Sequence, residues 1–279
     1  MSQILDVVIV GGGLVGGLTA LLLQQGGVQA TVLDAAPILD REKVLATANP
    51  RVLALSQASI HLLKSSGAWD LMARLMPYSG MQVWNVNGYG EINFGQASEN
   101  CPSEAQRLGV MAEPSIINLA IQEKMLQVID DYRTSVKVVA IEQQVNTWMI
   151  RLADGTELHT KLLIGADGAN SFVREQAMID LDVLDYQQAG LTCAIRTAEP
   201  HLHVARQIFH PTGPLAFLPM ASLNDEQQGH WLSIVWTLPQ DYADEYAALD
   251  DADFCQLLSR ESHLMLGAVV EATPRAVFP

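Results

Sequence analysis

The hydrophobic positions at the N-terminus follow the order strand, glycine turn, helix, strand. The apolar, β-branched run Leu5–Val10 is typical of a buried parallel strand. After three glycines, apolar residues dominate Leu14–Gln25, and a glycine pair then ends the predicted helix. A second apolar run, Ala30–Leu33, predicts another buried strand that ends at Asp34. The pattern therefore predicts one βαβ unit.

Up to about residue 180, apolar residues at helical spacing alternate with short apolar runs, whereas the stretch from Pro37 to Pro50 is predicted as a loop. Predicted helices are Ser56–Ser66 and Ser115–Val128. Predicted strands are a hairpin within Met81–Phe94, turned at Asn87-Gly88, and then Val136–Glu142, Thr147–Leu152, Glu157–His159 and Lys161–Gly165.

After about residue 180 the pattern changes to spaced strands, which favours a mainly antiparallel sheet. These strands are Gly190–Thr197, Val204–His210, Leu215–Leu218 and Trp231–Leu238, and a helix is predicted at Asp250–Ser259. The acidic run Asp241–Asp253 is interpreted as a solvated loop that leads into this helix. The last residues, Arg275–Pro279, resemble the beginning of a strand, so we expect the chain to be part of a longer protein.

Composition adds limits on function. Of the 279 residues, 49% are hydrophobic and 17% charged, which is the balance of a globular protein with a core. The chain has 31 acidic and 16 basic residues and a net charge of −15, so we expect no nucleic-acid binding and at most peripheral membrane contact. Three widely spaced cysteines form no CxxC pair, and a reducing cytoplasm is therefore the expected location.

The N-terminal turn contains the pattern G-x-G-x-x-G at Gly11, Gly13 and Gly16. In a strand–turn–helix context the three glycines allow a tight turn, approach of a pyrophosphate and close helix packing. Asp34 lies at the end of the next strand, where a carboxylate binds ribose hydroxyls and disfavours a 2′-phosphate. The motif predicts a dinucleotide site for NAD or FAD; the alternative is a glycine-rich turn with a solvated Asp34.

A second motif, Gly165–Arg174 (GADGANSFVR), follows a predicted buried strand. Its residues alone predict an Asp-Gly turn and a helix capped near Asn170 or Ser171. The motif resembles the DG motif of the FAD-dependent aromatic hydroxylases, the p-hydroxybenzoate hydroxylase superfamily. The resemblance implies that Asp167 and Gly168 lie near the FAD pyrophosphate, and it favours FAD over NAD.

The segment Pro50–Ser56 resembles the family segment whose arginine reaches the FAD. Four further segments resemble the branch of this family that hydroxylates polyprenyl phenols in ubiquinone biosynthesis, most closely the 2-octaprenylphenol hydroxylases. They are Gly80–Trp84, Ala112–Ile117, Phe217–Pro219 and Arg275–Pro279. The resemblance implies that Arg51 and Glu113 lie near the cofactor. The alternatives are a surface ion pair for Arg51 and, for Glu113, a carboxylate that complements a helix N-terminus. The family's third fingerprint, a Gly-Asp motif that contacts the flavin, is not found in these residues.

The predicted fold class is α/β, with a Rossmann-like FAD-binding domain and an α+β substrate domain built on a mainly antiparallel sheet. We predict the FAD-binding domain at residues 1–75 and 100–180, and the substrate-binding domain at residues 76–99 and 181–279.

The implied activity is that of an NAD(P)H-dependent monooxygenase. Reduced FAD and O2 would form a C4a-hydroperoxide that hydroxylates the ring of a lipophilic phenol, and no catalytic side chain is required or named. Six residues of the second half are candidates for pocket or core: Phe209, Leu215, Phe217, Leu218, Trp231 and Trp236. The pair His201 and His203, with His210 nearby, lacks further metal ligands, so no metal is predicted.

Three other functions stay open on the sequence. One is a flavin hydroxylase of a small soluble phenol. Another is an NAD-dependent dehydrogenase, which the DG motif disfavours. The third is a non-catalytic subunit of a biosynthetic complex. The ring position, the tail length and the oligomeric state are not determined by the sequence.

Overall fold

The computed structural model describes residues 4–221 and 229–278, which form two compact units. The first unit comprises the chain up to Val44 with Ser59–Ala73 and Ser115–Val183. The second comprises Leu45–Ala58, Arg74–Pro114 and the chain from Leu184 onwards. Each unit is therefore assembled from separate stretches of sequence.

The strands are listed in chain order: β1 (Ile4–Val10), β2 (Ala30–Leu33), β3 (Leu53–Leu55), β4 (Met76–Tyr78), β5 (Gly80–Asn85), β6 (Glu91–Gly95), β7 (Gly109–Ala112), β8 (Tyr132–Arg133), β9 (Val138–Gln143), β10 (Trp148–Leu152), β11 (Glu157–Gly165), β12 (Gln188–Thr197), β13 (Val204–His210), β14 (Gly213–Pro219), β15 (Trp231–Pro239), β16 (Val269–Ala272) and β17 (Ala276–Phe278). The helices are α1 (Leu14–Gln25), α2 (Arg41–Ala46), α3 (Gln57–Ser65), α4 (Pro114–Val128), α5 (Phe172–Gln176), α6 (Gln240–Ala248) and α7 (Asp251–Glu261).

The first unit is built on a six-stranded sheet in the order β8-β2-β1-β11-β10-β9. Strands β8, β2, β1 and β11 are parallel, and β10 and β9 continue the sheet in antiparallel pairing. The last four residues of β1, Val7–Val10, and all four residues of β2 are buried, which explains their unbroken apolar runs. The predicted βαβ unit is confirmed.

The second unit contains an eight-stranded sheet whose main path is β16-β12-β15-β14-β13-β5-β6, with β17 pairing beside β16 on β12. All of its pairs are antiparallel except β5 with β13. Its core packs the buried side chains of these strands against α6 and α7, with Phe217, Trp236 and Phe254 almost fully buried. The predicted mainly antiparallel sheet is confirmed.

A small antiparallel sheet, β3-β7-β4, also belongs to the second unit and was not predicted from the sequence. Its strands have three or four residues, too few to show an alternating pattern. Together with Met220 and Ala194 they bury a small core that contains Met76 and Met111. This core supports a cavity described below.

Four other details differ from the sequence prediction. Glu157–Gly165 is one strand rather than two, because Thr160 is buried in the sheet and does not interrupt it. Helix α2 lies in the predicted loop, and α6 occupies the acidic run that was interpreted as solvated loop. The compact units also place residues 45–58 and 100–114 with the second unit, whereas the predicted domains assign them to the first.

Among the helices in the described part of the chain, none has the length and apolar character needed to cross a membrane.

Candidate cofactor and substrate sites

The glycine turn after β1 requires glycine at two of its predicted positions. Gly11 has a φ of +100°, and a Cβ atom there would lie 2.3 Å from the carbonyl oxygen of Ala166. A Cβ atom on Gly16 would lie 1.9 Å from the carbonyl oxygen of Gly11. No larger residue fits either position, because both contacts are with backbone that cannot move aside cheaply.

Gly13 meets a different requirement. It is the N-cap residue of α1, and outside its immediate neighbours in the chain no described atom lies within 4 Å of a Cβ built on it. It offers no side chain to cap the helix, and the first turn of α1 carries no acidic residue. The first N–H groups of α1 are therefore open to an anion such as a pyrophosphate.

Asp34 lies beside this turn, as the sequence predicted. Its Oδ2 accepts a hydrogen bond from the Gly12 N–H at 3.0 Å, and its Oδ1 accepts from the Ala36 N–H at 2.9 Å. A carboxylate has about four acceptor positions, so both oxygens can still accept from ribose hydroxyls. Burial and the nearby Asp34 charge raise the pKa of Tyr132, which supports a hydroxyl that stays protonated at this edge.

The second predicted motif adjoins the first in the structure. The Ala166 N–H donates to the carbonyl oxygen of Val10 at 2.7 Å, which joins the end of β11 to the start of the glycine turn. Asp167 accepts hydrogen bonds from the Ser171 hydroxyl and, at 3.1 Å, from the Val173 N–H. It therefore holds the start of α5, and the Ser171 hydroxyl accepts from the Arg174 N–H as the N-cap.

Gly168 follows Asp167 with a φ of +89°, and apart from its two chain neighbours no described residue has an atom within 4 Å of a Cβ built there. The left-handed backbone favours glycine, and the exposed peptide next to it is free to approach a ligand. In the first unit the structure thus brings together Gly11, Gly13, Gly16, Asp34, Asp167 and Gly168.

Arg51 and Glu113 belong to the second unit. Glu113 is buried, and its carboxylate pairs with the Arg74 guanidinium at 3.0 and 3.1 Å. It also accepts from the Asn49 N–H at 2.6 Å. Arg74 in turn donates to the carbonyl oxygens of Leu45 and Thr47, each at 2.7 Å. The pair therefore holds the 45–49 segment, a role that neither sequence interpretation of Glu113 included.

Arg74 is the functional candidate that sequence reasoning missed. No motif or apolar pattern in the sequence around Arg74 singles it out. Its importance becomes visible only in the fold, where it pairs with the buried Glu113. Arg51 is exposed and lies over the Phe278 ring, 5.4 Å from its centroid. Within the described residues it makes no ion pair, so the surface ion pair considered above is not what holds it.

The held segment forms one wall of an apolar cavity of about 610 Å³ in the second unit. Its lining consists of Ala46, Thr47, Ala48, Pro50, Ala194, Met220, Ala221, Trp231, Thr273 and Pro274. None of these residues is ionisable. A cavity of this size and character is suited to a small aromatic or lipophilic ligand.

Of the six predicted pocket or core residues, only Trp231 lines this cavity. Leu215, Phe217 and Trp236 lie in the core of the large sheet, where they are at most 1% exposed. Leu218 packs against the small core, and Phe209 is 43% exposed. The alternation of β13 turns Phe209 away from Ile208, which takes the buried side.

Comparison with known proteins matches the chain to the family described as FAD binding domain over residues 4–269. It is 32% identical over 287 residues to ubiquinone biosynthesis monooxygenase COQ6, mitochondrial, of Danio rerio, covering 94% of this chain and 56% of that protein. It is 32% identical over 244 residues to 3-demethoxyubiquinol 3-hydroxylase of Escherichia coli, covering 84% of this chain and 58% of that protein. The chain thus spans somewhat more than half the length of these relatives.

The fold also matches solved structures. Pseudomonas aeruginosa PqsL in complex with 2-aminobenzoylacetate superposes with a TM-score of 0.77 at 19% identity, covering 99% of this chain and 74% of that one. For p-nitrophenol 4-monooxygenase PnpA of Pseudomonas putida the TM-score is 0.70 at 19% identity, covering 100% and 67%. These likenesses confirm the fold class.

The predicted choice of FAD over NAD is confirmed at the level of the family, whose cofactor is FAD. The glycine cradle, the DG motif and the match over nearly the whole sequence agree with one another. The chain belongs to the FAD binding domain family, that of the FAD-dependent aromatic hydroxylases.

Proposed function

We propose that this chain forms the FAD- and substrate-binding part of an NAD(P)H-dependent monooxygenase that hydroxylates a polyprenyl phenol in ubiquinone biosynthesis. The observation that carries the substrate class is the apolar cavity of about 610 Å³, whose lining by described residues contains no ionisable group. Relatives named as ubiquinone biosynthesis monooxygenases and hydroxylases support the same reaction.

The residues of the first unit fit the cofactor. The open N-terminus of α1 at Gly13 would hold the FAD pyrophosphate, and the remaining acceptor positions of Asp34 would take the ribose hydroxyls. Gly11 and Gly16 keep the turn close to its neighbours. Asp167 would act by holding the loop that presents the Gly168 peptide.

In the second unit, Glu113 would be a positioning residue, because its oxygens already accept from Arg74 and Asn49. It fixes the segment that walls the cavity. Arg51, with an exposed guanidinium, keeps the capacity to bind an anionic group of the cofactor.

Bound FAD would supply the redox chemistry, namely hydride acceptance from NAD(P)H and activation of O2, with one oxygen atom going to the aromatic ring and the other leaving as water. The protein must hold the aromatic ring of the substrate in the correct orientation toward the cofactor and exclude water. Apolar walls suit both purposes, and the hydroxyl of the substrate itself supplies electron density to the ring. Among the described residues no acid or base lines the cavity, so we assign no proton transfer to these side chains.

The test of cofactor binding is Gly13→Ala. The fold accepts the methyl group because the space is open and φ is −71°, but the methyl would stand where the pyrophosphate approaches. We expect the wild-type chain to show the visible absorption of bound flavin after FAD is added and excess removed. The dissociation constant of FAD, measured by fluorescence titration, should rise at least roughly tenfold in the variant, as expected for a displaced phosphate contact.

The matched control is Gly90→Ala, since Gly90 also has open space around a built Cβ and lies in the β5–β6 turn of the other unit. Its FAD affinity should equal that of wild type. Flavin bound equally by wild type and by Gly13→Ala would contradict the assignment of the cradle. Absence of bound flavin both in the wild-type chain and in the same protein extended past Pro279 would favour the non-catalytic subunit instead.

The substrate class is tested by NAD(P)H oxidation and mass spectrometry of the product with two phenols, one prenylated and one not. We expect hydroxylation of the prenylated phenol with the lower KM, because the apolar cavity gains from burial of the tail. Equal or better turnover of the unprenylated phenol would favour the soluble-phenol hydroxylase. We also propose that contact with the membrane is peripheral, and flotation with vesicles after a salt wash would reveal tighter binding.

A further inference from the structure

The eight-stranded sheet of the second unit ends at strand β6, and no described strand pairs with the outer side of β6. Every residue of this strand is exposed. Its apolar members, Ile92 and Phe94, keep 56% and 53% of their surface open to solvent. They lie on one face of the sheet, beside the apolar side chains of Met81 and Val83 on β5.

The hydrogen bonds of β5 determine which peptide groups of β6 are open. The N–H groups of Gly80 and Val86 donate to carbonyl oxygens near the two ends of β13, so the even-numbered residues of β5 point toward β13. The odd-numbered residues of β5 therefore bond to the even-numbered residues of β6, with which they pair. The peptide groups of Glu91, Asn93 and Gly95 consequently point away from the sheet.

Strand β6 lacks the features by which proteins protect a sheet edge. The sequence of Glu91–Gly95 contains no lysine, arginine or proline. Its pairing with β5 runs through five consecutive residue pairs without a bulge. The edge strand β9 of the first unit differs, because its pairing shifts register between Arg151 and Leu152. An unprotected edge with open peptide groups is a template for one more strand.

The sequence of β6 is complementary to itself in one antiparallel register. When two copies pair with Asn93 at the centre, Asn93 lies opposite Asn93, Ile92 lies opposite Phe94, and Glu91 lies opposite Gly95. The peptide groups that point outward then face one another as hydrogen-bonded pairs. A pairing centred on Glu91 would instead place two carboxylates directly opposite each other, which is unfavourable.

This register is also the one that uses the whole strand. It pairs all five residues of β6 and places each exposed apolar side chain against an apolar side chain of the other copy. A shift by two residues along the edge would move Ile92 or Phe94 out of these contacts. The self-complementary pattern of charge and apolar surface therefore points to an identical strand as the occupant of the edge.

We propose that a second copy of this chain adds its β6 to this edge, so that two eight-stranded sheets join across a two-fold axis at Asn93. A five-residue strand buries little area, and the net charge of −15 makes the copies repel at long range. We therefore expect a dissociation constant of the dimer in the micromolar range. The dimer is a property of the second unit and adds to the function proposed above.

Two variants of Asn93 separate the dimer contact from the fold. Asn93→Pro removes an N–H that points away from β5, so the hydrogen bonds between β5 and β6 remain while the central bond of the dimer is lost. Asn93→Ala keeps this N–H and is the matched control. It loses only the exposed side-chain hydrogen bond to Glu91, at 2.9 Å. Circular dichroism of both variants should equal that of wild type.

The experiment is analytical ultracentrifugation of the full chain, without FAD, at up to about 100 μM. We expect wild type and Asn93→Ala to dimerise alike, and Asn93→Pro to dimerise at least roughly tenfold more weakly. Added salt should strengthen the wild-type dimer, because it screens the repulsion between two acidic chains. A wild-type chain that stays monomeric, or an Asn93→Pro variant that dimerises as wild type does, would overturn the proposal.

The register is tested by oxidation of Asn93→Cys in the background of Cys101→Ser, which removes the exposed natural cysteine. At the centre of the pairing the two Cα atoms lie about 5.5 Å apart, so a disulfide can form between the copies. Asn87→Cys, in the exposed β5–β6 turn, lies far from its counterpart and should stay monomeric. Failure of Asn93→Cys to cross-link, or equal cross-linking at both positions, would rule out this register. These outcomes need no bound flavin, so they are separate from those of the proposed function.

Discussion

The side chains of Glu113 and Arg74 show how a single buried ion pair can organise a site. Glu113 directly precedes α4, and its carboxylate binds Arg74 and the Asn49 N–H. Arg74 adds the carbonyl oxygens of Leu45 and Thr47. One pair therefore satisfies three backbone groups of the segment that walls the apolar cavity.

We expect Arg74→Met to lower the free energy of unfolding by about 3 kcal/mol, because it leaves the Glu113 charge buried without its partner. Adding Glu113→Leu should recover part of this loss, since the unpaired charge is then removed. Urea denaturation of the single and double variants measures both effects.

The control for this pair is Arg151→Met, which breaks the Arg151–Glu157 pair with both side chains nearly half exposed. This substitution should lower the free energy of unfolding by less than about 1 kcal/mol, because exposed ion pairs contribute little to stability. An equally small effect of Arg74→Met, or a double variant worse than the single one, would show that the pair does not hold the segment.

For single residues, the sequence predicts a role correctly when that role depends on the residues next to it in the chain. Gly11 and Gly16 were assigned to a tight turn and to close packing, and the contacts agree. Glu113 was singled out only by resemblance, and Arg74 not at all. Its partners lie 27 to 39 residues away, and no local pattern encodes such a contact.

At the scale of elements, the longer helices and the strands with unbroken apolar or β-branched runs were the predictable ones. Helices α1 and α4 and strands β1, β2 and β13 agree with their predicted ranges within one or two residues. The three short strands of the small sheet were missed. They are strands because they pair with one another, and their sequences alone show no strand pattern. Helix α6 was missed because it has a single buried position, Ala243, and its acidic residues face solvent. One buried residue is too few to give a helical pattern of apolar positions.

The packing of α1 on α4 gives a prediction at this scale. A Cβ atom on Gly17 would lie 2.5 Å from Ile121 Cγ2 and 3.0 Å from Met125 Cε. Gly17→Ala should therefore destabilise the chain by about 1 to 3 kcal/mol, although alanine has the better helix propensity. Thermal or urea unfolding would measure the loss.

The variant Ile121→Ala removes the methyl group that the new side chain would contact. In that background Gly17→Ala should lower the free energy of unfolding clearly less, because the steric clash between α1 and α4 at this point is gone. Gly26→Ala, at the other end of α1 where φ is −74°, serves as the control and should change stability by no more than about 0.5 kcal/mol. Additive losses in the double variant would contradict the proposed helix contact.

At the scale of the whole molecule, the sequence predicted two domains and which classes they belong to, but not the exact division of the chain. Each unit recruits strands from distant parts of the sequence. Val10 pairs with Gly165 in the first unit, and Gly80 pairs with Val204 in the second. Such pairings are stabilised by the surface that the complete sheet buries. A pattern of neighbouring residues contains no information about which distant strands pair.

Global stability should respond to acid through His201. Burial, and then the nearby His203, Arg206 and His230, lower its pKa to about 3 in the folded chain, whereas an imidazole in the unfolded chain titrates near its ordinary value of 6.5. Between these values the unfolded state binds the proton and the folded state does not. The contribution of His201 to stability is therefore complete above pH 6.5 and falls by roughly 1 kcal/mol per pH unit below it.

The measurement is the free energy of unfolding of wild type and His201→Asn between pH 6.5 and 4. Carboxylates titrate alike in both proteins, so the difference isolates the imidazole. Because asparagine binds no proton, the variant should lose stability less steeply, and the curves should converge or cross toward low pH. His61→Asn, at an exposed position on α3, should follow the wild-type curve. Parallel curves for wild type and His201→Asn would mean that the buried ring accepts a proton in the folded chain as readily as in the unfolded one.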